Sequence, residues 1–193
     1  MPDVFDVLRK DHEEVKAMLG RLEQGPKYTG GAVPAQLQER KRLVDELIIE
    51  QSKHEAAEQQ YFWPAVRELG PEGDRVANEA IEQEVAGERV LDKLDKLRPE
   101  EPAQFEDLLT EFASAARAHI GFEEAHAWPM LRAAISAERS AELGDKITAA
   151  KKTAPTRPHP ATPPKQGAQK TAGPLAGAAD RLRDALTGRG KHR

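Results

Sequence analysis

Two segments of the sequence share a set of residues that could bind a metal ion. HEAAEQQYFWPAVR, which starts at residue 54, is followed 65 positions later by HIGFEEAHAWPMLR. The shared positions, called here the repeated frame, are His54, Glu58, Trp63, Pro64 and Arg67 in the first copy and His119, Glu123, Trp128, Pro129 and Arg132 in the second. Residues four apart in an α-helix lie on one face, about 6 Å apart along the axis. Two such His-Glu faces directed at each other would form a metal site with nitrogen and oxygen ligands.

A second repeat adds one candidate ligand to each half of the chain. DHEEVKAMLGRL (11 to 22) aligns with QEVAGERVLDKL (83 to 94), and this alignment pairs His12 with Glu84. The chain is therefore predicted to contain two helical hairpins, each with one single ligand and one His-Glu pair. The candidate metal ligands are His12, His54, Glu58, Glu84, His119 and Glu123. For Glu84 the alternative is a solvated surface position, because glutamates in acidic helices are mostly exposed.

The composition limits the chemistry that the chain could perform. The sequence has no cysteine, which excludes disulfides, thiolate metal ligands and cysteine nucleophiles. The N-terminus MPDVFDVLRKDHEE is charged from its start and lacks the apolar core of a signal peptide, and no run of about 18 apolar residues occurs. We therefore expect a cytoplasmic protein without a transmembrane segment, in which any metal is bound through histidines and carboxylates.

The apolar pattern predicts an all-α fold. Apolar residues recur at helical spacing in four stretches, and breaks at Gly25-Pro26, Gly70-Pro71 and Pro99 separate them. Four helices with short connections favour an up-down antiparallel bundle. We predict a bundle domain over residues 1–150, with its core at about 4–135 and a short extra helix at about 137–150. The number of residues between each candidate ligand and the nearest turn places the ligands near the middle of the bundle.

The C-terminal residues differ in charge from the rest. Residues 1 to 150 carry 19 Lys and Arg against 31 Asp and Glu, a net charge of −12, whereas residues 151 to 193 carry 10 against 2, a net charge of +8. The region from 151 to 193 is rich in Pro, Ala and Lys and predicts a disordered basic tail, with a short amphipathic helix at 175–187. That helix could dock on the acidic bundle, on an anionic membrane or on nucleic acid. The sequence carries no strong nucleic-acid-binding pattern.

The repeated frame and its partners resemble the hemerythrin-like, or HHE cation-binding, domain family. The resemblance covers roughly residues 4 to 135 and implies an up-down four-helix bundle around a non-haem di-iron centre. The positions that match the ligands of the family are His12 in the first helix, His54 and Glu58 in the second, and His119 and Glu123 in the fourth. The resemblance implies two iron ions, with or without an oxo bridge, and manganese is the alternative metal.

The third helix departs from the family pattern. Members that resemble the oxygen carriers have His-x-x-x-His there, whereas this chain has Glu84 and Glu88. Glu55, next to His54, could add a bridging carboxylate, as in the hemerythrin-like iron-sensing domains. A carboxylate-rich site favours the ferric state and suits redox chemistry better than reversible oxygen carriage. We therefore expect O₂, NO or peroxide as the small ligand, and a role in oxygen or redox sensing or in detoxification.

Two other functions stay open from the sequence. The bundle could be a regulatory or structural module that acts through its basic tail. It could also store iron, although ferritin-like sites combine single glutamates with Glu-x-x-His pairs, whereas the pairs here are His-x-x-x-Glu.

Overall fold

The described part of the chain is entirely helical. The computed structural model describes residues 2–97, 102–160, 166–187 and 189, and within these ranges there is no β-strand. Among the same residues, no helix combines the length and the apolar character that crossing a membrane requires. The prediction of an all-α fold is confirmed.

Eight α-helices occur in the described ranges. They are α1 (Val4–Gln24), α2 (Pro34–Ala57), α3 (Trp63–Arg67), α4 (Pro71–Lys96), α5 (Pro102–Phe122), α6 (Trp128–Ala134), α7 (Ala137–Lys151) and α8 (Gln166–Thr187). A short 3₁₀ turn, Tyr28–Gly30, lies between α1 and α2. Two π-helical segments, called here the first π-turn (Glu58–Phe62) and the second π-turn (Glu123–Ala127), join α2 to α3 and α5 to α6.

Local sequence explains where several helices begin. The Asp3 side chain accepts a hydrogen bond from the Asp6 backbone N–H at 2.8 Å, which caps the first turn of α1. Gly70 adopts a φ of 90° immediately before Pro71, a backbone conformation that glycine reaches without strain, and α4 begins at the proline. Ser136 caps α7 by accepting from the Arg139 backbone N–H at 3.2 Å.

The helices pack around two separate apolar clusters. α1 contacts α2, α2 contacts α4, α4 contacts α5, and α5 returns to α1, while α7 packs on α1 and α2. The first apolar cluster includes Phe5, Leu8, Phe62, Trp63, Val66, Val76, Leu131, Leu143 and Ile147. The second apolar cluster includes Val15, Leu19, Leu47, Ile48, Leu91, Leu94, Leu109, Phe112 and Ile120. On α1 and α4 the candidate metal ligands, His12 and Glu84, lie between residues of the first and of the second apolar cluster.

The C-terminal residues differ from the disordered tail that we predicted. α7 spans Ala137–Lys151, and α8 begins at Gln166, before residue 175. Between them, Thr156 is buried, its hydroxyl donates to Asp184 at 2.7 Å, and its backbone N–H donates to Asp180 at 3.1 Å. Low apolar content suggested disorder, but these polar groups are ordered by hydrogen bonds and ion pairs instead.

Arginines join this C-terminal segment, defined here as residues 152–160 with α8, to the bundle. Arg157 donates to Asp95 of α4 at 2.7 Å and to Asp184 of α8 at 2.8 Å. Arg189, just beyond α8, pairs with Asp95 at 2.7 Å and with Asp45 of α2 at 3.6 Å. In the described residues, basic groups of the tail are therefore paired with acidic groups of the bundle.

Candidate metal centre

Each copy of the repeated frame contains a π-turn that starts at a candidate ligand. The backbone N–H of Trp63 donates to the carbonyl of Glu58, and that of Trp128 donates to the carbonyl of Glu123, five residues back in both cases. The proline after each tryptophan lacks an N–H, and its ring would collide with the carbonyl four residues earlier in a regular α-helix. A π-turn accommodates this irregularity. The Trp-Pro pair and the glutamate five residues before the tryptophan therefore belong to one structural unit.

The structure brings all six sequence-predicted residues together. Their side chains supply two groups of four candidate ligand atoms, and within each group all atoms lie within 4.8 Å of one another. The first ligand set consists of His12, His54, Glu58 and Glu123. The second ligand set consists of Glu58, Glu84, His119 and Glu123. Glu58 and Glu123 belong to both sets, as expected for carboxylates placed between two neighbouring cations.

The two oxygens of Glu123 face different histidines. Its Oε2 lies 3.0 Å from Nε2 of His12, and its Oε1 lies 3.0 Å from Nε2 of His119. Oε2 of Glu58 lies 3.1 Å from Nε2 of His54. All three histidines therefore direct Nε2 toward the shared carboxylates.

Burial and missing hydrogen bonds test whether these residues fit a metal. The six side chains are between 0 and 4% exposed. Among the described residues, Nε2 of His12 and of His119 and both oxygens of Glu58 and of Glu123 have no hydrogen-bond partner. Buried polar atoms without partners are costly, and a bound cation would satisfy nitrogen lone pairs and carboxylate oxygens at once. The residues present fit a pair of cations.

An outer layer of oxygen atoms holds the Nδ1 atoms of the histidines. Nδ1 of His12 lies 3.0 Å from Oε1 of Glu124, an oxygen that also accepts from Lys16 at 2.9 Å. Nδ1 of His119 lies 3.2 Å from Oε1 of Gln83. A hydrogen bond from Nδ1–H to an oxygen fixes the ring and leaves the Nε2 lone pair available to a metal.

The third histidine is held by a carboxylate that is itself ion-paired. Nδ1 of His54 lies 3.4 Å from Oδ2 of Asp11, and Oδ1 of Asp11 accepts from Lys151. Burial by itself raises the pKa of Asp11, but His54 and Lys151 outweigh that effect and hold the pKa below its usual range. Asp11 is therefore an ionised acceptor for His54.

Both oxygens of Glu84 accept hydrogen bonds from the first π-turn and the residue after it. Oε2 accepts from Gln59 at 2.6 Å, and Oε1 accepts from the indole N–H of Trp63. A carboxylate oxygen has a second lone pair, so these bonds position Glu84 without blocking a metal. Burial, with Glu58 nearby, raises the pKa of Glu84 to about 8.

Burial and nearby charges shift the pKa values of the other titratable groups of the centre. Burial lowers the pKa of His54 and of His119, but nearby carboxylates outweigh it: Glu58 raises the pKa of His54 well above its usual range, and Glu123 raises that of His119 to about 9. Burial and the Glu123 carboxylate raise the pKa of Glu58. Burial by itself would also raise the pKa of Glu123, but His119 and His12 outweigh it and hold that pKa well below the usual range. Without metal, the centre therefore holds protons on histidine rings as well as on carboxyl groups.

Two glutamates that the sequence singled out, and one further histidine, lie outside the two ligand sets. Glu55 is buried and accepts from Gln51 at 2.9 Å, but neither it nor Glu88 belongs to a set. His126 is exposed and contacts the ring of Phe122.

Sequence reasoning missed the hydrogen-bonding partners of the ligands. These partners are Asp11, Gln59, Gln83 and Glu124, and each is the immediate sequence neighbour of a candidate ligand. Their amide and carboxylate side chains were visible in the sequence. Which ligand each would contact was not, because the neighbour of one ligand often serves a ligand on another helix.

Comparisons with known proteins agree with this geometry. The family profile of the hemerythrin HHE cation binding domain matches residues 3–131. The fold is similar to the crystal structure of a hemerythrin HHE cation binding domain-containing protein from Mycobacterium kansasii, with a TM-score of 0.63 and 24% sequence identity over 79% of this chain and 86% of that chain. A search of curated proteins finds no match. The profile covers well over half of the sequence, and the chain belongs to the hemerythrin HHE cation-binding domain family.

Proposed function

We propose that the protein binds two iron ions between its helices and uses them to react with or to sense a small oxidant such as O₂, NO or peroxide. The observation that supports this most is the pair of ligand sets that share Glu58 and Glu123. An up-down arrangement of the four long helical segments is part of the proposal, because it would bring one contribution to the centre from each segment.

The types of ligand atoms favour iron. Imidazole nitrogens suit iron, zinc and copper, whereas carboxylates suit harder ions such as manganese, so a mixed centre without thiolates fits iron best and manganese next. The first ligand set has two histidines and two carboxylates, and the second has one histidine and three carboxylates. The second set should therefore stabilise the more highly charged ferric ion.

The surroundings of the centre favour a small ligand. Each set offers four protein ligand atoms, which leaves room for exogenous ligands on ions that take up to six. The candidate ligands are almost fully buried between two apolar clusters, so a diatomic molecule or peroxide fits better than a larger substrate. Bound iron would supply electrons and Lewis acidity at this place.

The protein's own groups control protons at the centre. Metal ligands must be deprotonated, so cations compete with the protons on His54, His119 and Glu84, whose pKa values are raised. Gln59 and Trp63 keep Glu84 in position during this exchange.

The proposal is tested by metal content. The protein is loaded with Fe²⁺ without oxygen, and iron per chain is measured for the wild type, for His54→Ala combined with His119→Ala, and for His126→Ala. We expect about two irons for the wild type and for His126→Ala, which changes an exposed histidine outside both sets, and fewer than about one for the double variant. Two irons in the double variant would refute the assignment.

Reaction with a small oxidant is tested on the loaded protein. Its optical spectrum is followed by stopped flow after mixing with peroxide, O₂ or NO. We expect a rapid spectral change with at least one of them in the wild type and in His126→Ala. If none of the three changes the spectrum of a fully loaded protein, the sensing and detoxification roles are wrong and metal binding alone remains.

A further inference from the structure

A lysine at the end of α7 reaches the metal centre through one carboxylate. Lys151 donates to Oδ1 of Asp11, and Oδ2 of Asp11 lies 3.4 Å from Nδ1 of His54. His54 is a member of the first ligand set. α7 lies beyond residues 3–131, which the family profile matches, so this lysine is outside the matched domain.

Packing holds this end of α7 against the bundle. Leu143 and Ile147 are buried in the first apolar cluster, and α7 contacts both α1 and α2. The side chains of Lys151 and Asp11 are only 18% and 7% exposed. A charge pair with this little exposure is weakly screened, and removing one partner leaves the other charge buried and uncompensated.

A second lysine offers a comparison on the same centre. Lys16 donates to Glu124, which holds His12, but their side chains are 42% and 35% exposed. Water and salt screen such a pair, so Lys16 holds the Glu124 carboxylate in place less firmly than a buried lysine would. The position of the Asp11 carboxylate depends more on Lys151, because Asp11 is less exposed to water.

The contact with Asp11 fixes which nitrogen of His54 faces the ligand set. The Asp11 carboxylate accepts from Nδ1–H, which leaves Nε2 with its lone pair toward the ligand set. Without an acceptor held at Nδ1, the ring is free to turn or to carry its proton on Nε2, the atom that a metal needs.

We propose that Lys151 is a positioning residue of the metal centre: it holds the Asp11 carboxylate directed at Nδ1 of His54, so that Nε2 of His54 is available to a metal ion. This inference rests on the proposed metal-binding function. It makes α7 part of the metal centre and gives the residues after 131 a role in metal affinity.

The test uses anaerobic Fe²⁺ titration of the full-length chain against a competing chelator. The variants are Lys151→Met, Lys151→Arg, Lys16→Met and the neighbouring Lys152→Met, which changes an exposed side chain. We expect Lys151→Met to weaken one of the two binding steps roughly tenfold, the lower end of the effect of outer-layer substitutions. Lys151→Arg should restore most of the affinity, Lys16→Met should weaken it less than Lys151→Met because the Lys16–Glu124 pair is more exposed, and Lys152→Met should leave it unchanged.

A second measurement separates positioning from a loss of packing. In the Zn²⁺-loaded protein, the Nδ1–H proton of His54 is observed by NMR, and its hydrogen bond to a carboxylate should shift it downfield. We expect this shift to be lost in Lys151→Met and kept in Lys151→Arg. A merely structural role for Lys151 would change thermal stability without moving this resonance.

The possible outcomes separate the two proposals. A wild type that binds no iron would refute the proposed function. If the wild type binds iron and Lys151→Met binds it equally tightly, only the inference is refuted. The same holds if Lys151→Met binds iron more tightly because a nearby positive charge is gone. If Lys151→Met does not fold, Asp11→Ala decides, because it removes the acceptor at Nδ1 of His54: we expect the same loss of affinity, and wild-type affinity in that variant would overturn the inference.

Discussion

The two tryptophans of the repeated frame have different roles although they occupy equivalent positions. The indole N–H of Trp63 donates to Glu84. The indole nitrogen of Trp128 is buried and has no hydrogen-bond partner in the described chain, and its ring stacks on His12 with the ring centres 5.0 Å apart. One tryptophan therefore orients a candidate ligand by a hydrogen bond, and the other by contact of ring faces.

This difference predicts unequal effects of the same substitution. Trp63→Phe removes the donor and leaves an oxygen of Glu84 buried without it, which should lower the free energy of unfolding by about 1–3 kcal/mol more than Trp128→Phe. Urea unfolding of the metal-free proteins measures both values. Trp128→Phe is the matched control for lost ring volume. Equal losses would mean that the bond to Glu84 contributes nothing to stability.

The raised pKa of Glu84 predicts how the stability of the metal-free protein depends on pH. A carboxyl whose pKa is raised to about 8 by burial favours folding when it is protonated, so its contribution is lost as pH rises through about 8. His119, with a pKa of about 9, loses its contribution in the same direction. Without metal we therefore expect thermal stability to fall from pH 4.5 up to about pH 9, and to fall less steeply between pH 4.5 and about pH 8 in Glu84→Gln. An unchanged slope in Glu84→Gln would assign the pH dependence to other groups.

At the scale of helices, the π-turns and α7 determine how the ligands are presented. Each π-turn starts at a glutamate shared by the two ligand sets. α7 packs so closely on the start of α1 that a Cβ added to Gly144 would lie 2.9 Å from the carbonyl oxygen of Pro2 and from the carbonyl carbon of Asp3. These are backbone atoms, which cannot rotate away.

Two glycine substitutions therefore have opposite predicted effects. Gly144→Ala should destabilise the protein by about 1–3 kcal/mol, because the backbone around Asp3 must move. Gly20→Ala, within α1 and with nothing within 4 Å of the added Cβ, should stabilise it by about 0.5–1 kcal/mol. Chemical unfolding measures both. If Gly144→Ala were as stable as the wild type, the close packing of α7 on α1 would be wrong.

At the scale of the whole molecule, the positive C-terminal residues compensate the acidic bundle. Arg157 and Arg189 pair with aspartates of α2 and α4, and His159 lies 3.0 Å from Asp180 of α8. α8 directs its aspartates inward, whereas Leu182 and Leu186 are 66% and 81% exposed. Ion pairs therefore hold this segment in place together with buried residues such as Ala154.

The His159–Asp180 pair predicts that the attachment of α8 depends on pH. Asp180 raises the pKa of His159 above 6.5, and Glu88 and Asp92 add to this effect, so the contribution is complete below about pH 6.5 and is lost as pH rises through the raised value. Burial raises the pKa of Asp180, but His159 outweighs it and lowers the pKa below 3.8, so the contribution is also lost in strong acid. Protection of the α8 amides from hydrogen exchange should therefore fall above neutral pH. His159→Gln should remove this dependence, and a dependence that persists in that variant would contradict the assignment.

The sequence was sufficient for the family, the all-α fold and the six candidate ligands. Spacing alone determines which residues share a helix face, because helix geometry fixes the rotation and rise from one residue to the next. The repeated frame then made four of the candidate ligands recognisable: His54, Glu58, His119 and Glu123. The match of His12 with Glu84 followed from the second repeat in the same way.

Only the tertiary structure decided how these groups work together. The division of the six residues into two overlapping sets, the bonds of Glu84 to Gln59 and Trp63, and the contact of Lys151 with Asp11 all join residues from different helices. The sequence predicted a helix in the C-terminal segment but left open whether it docks on the bundle, on a membrane or on nucleic acid, and the ion pairs that place it on the bundle are seen only in the structure. Contacts between helices depend on how whole faces pack, and a local pattern does not encode which distant residue completes a buried charge pair.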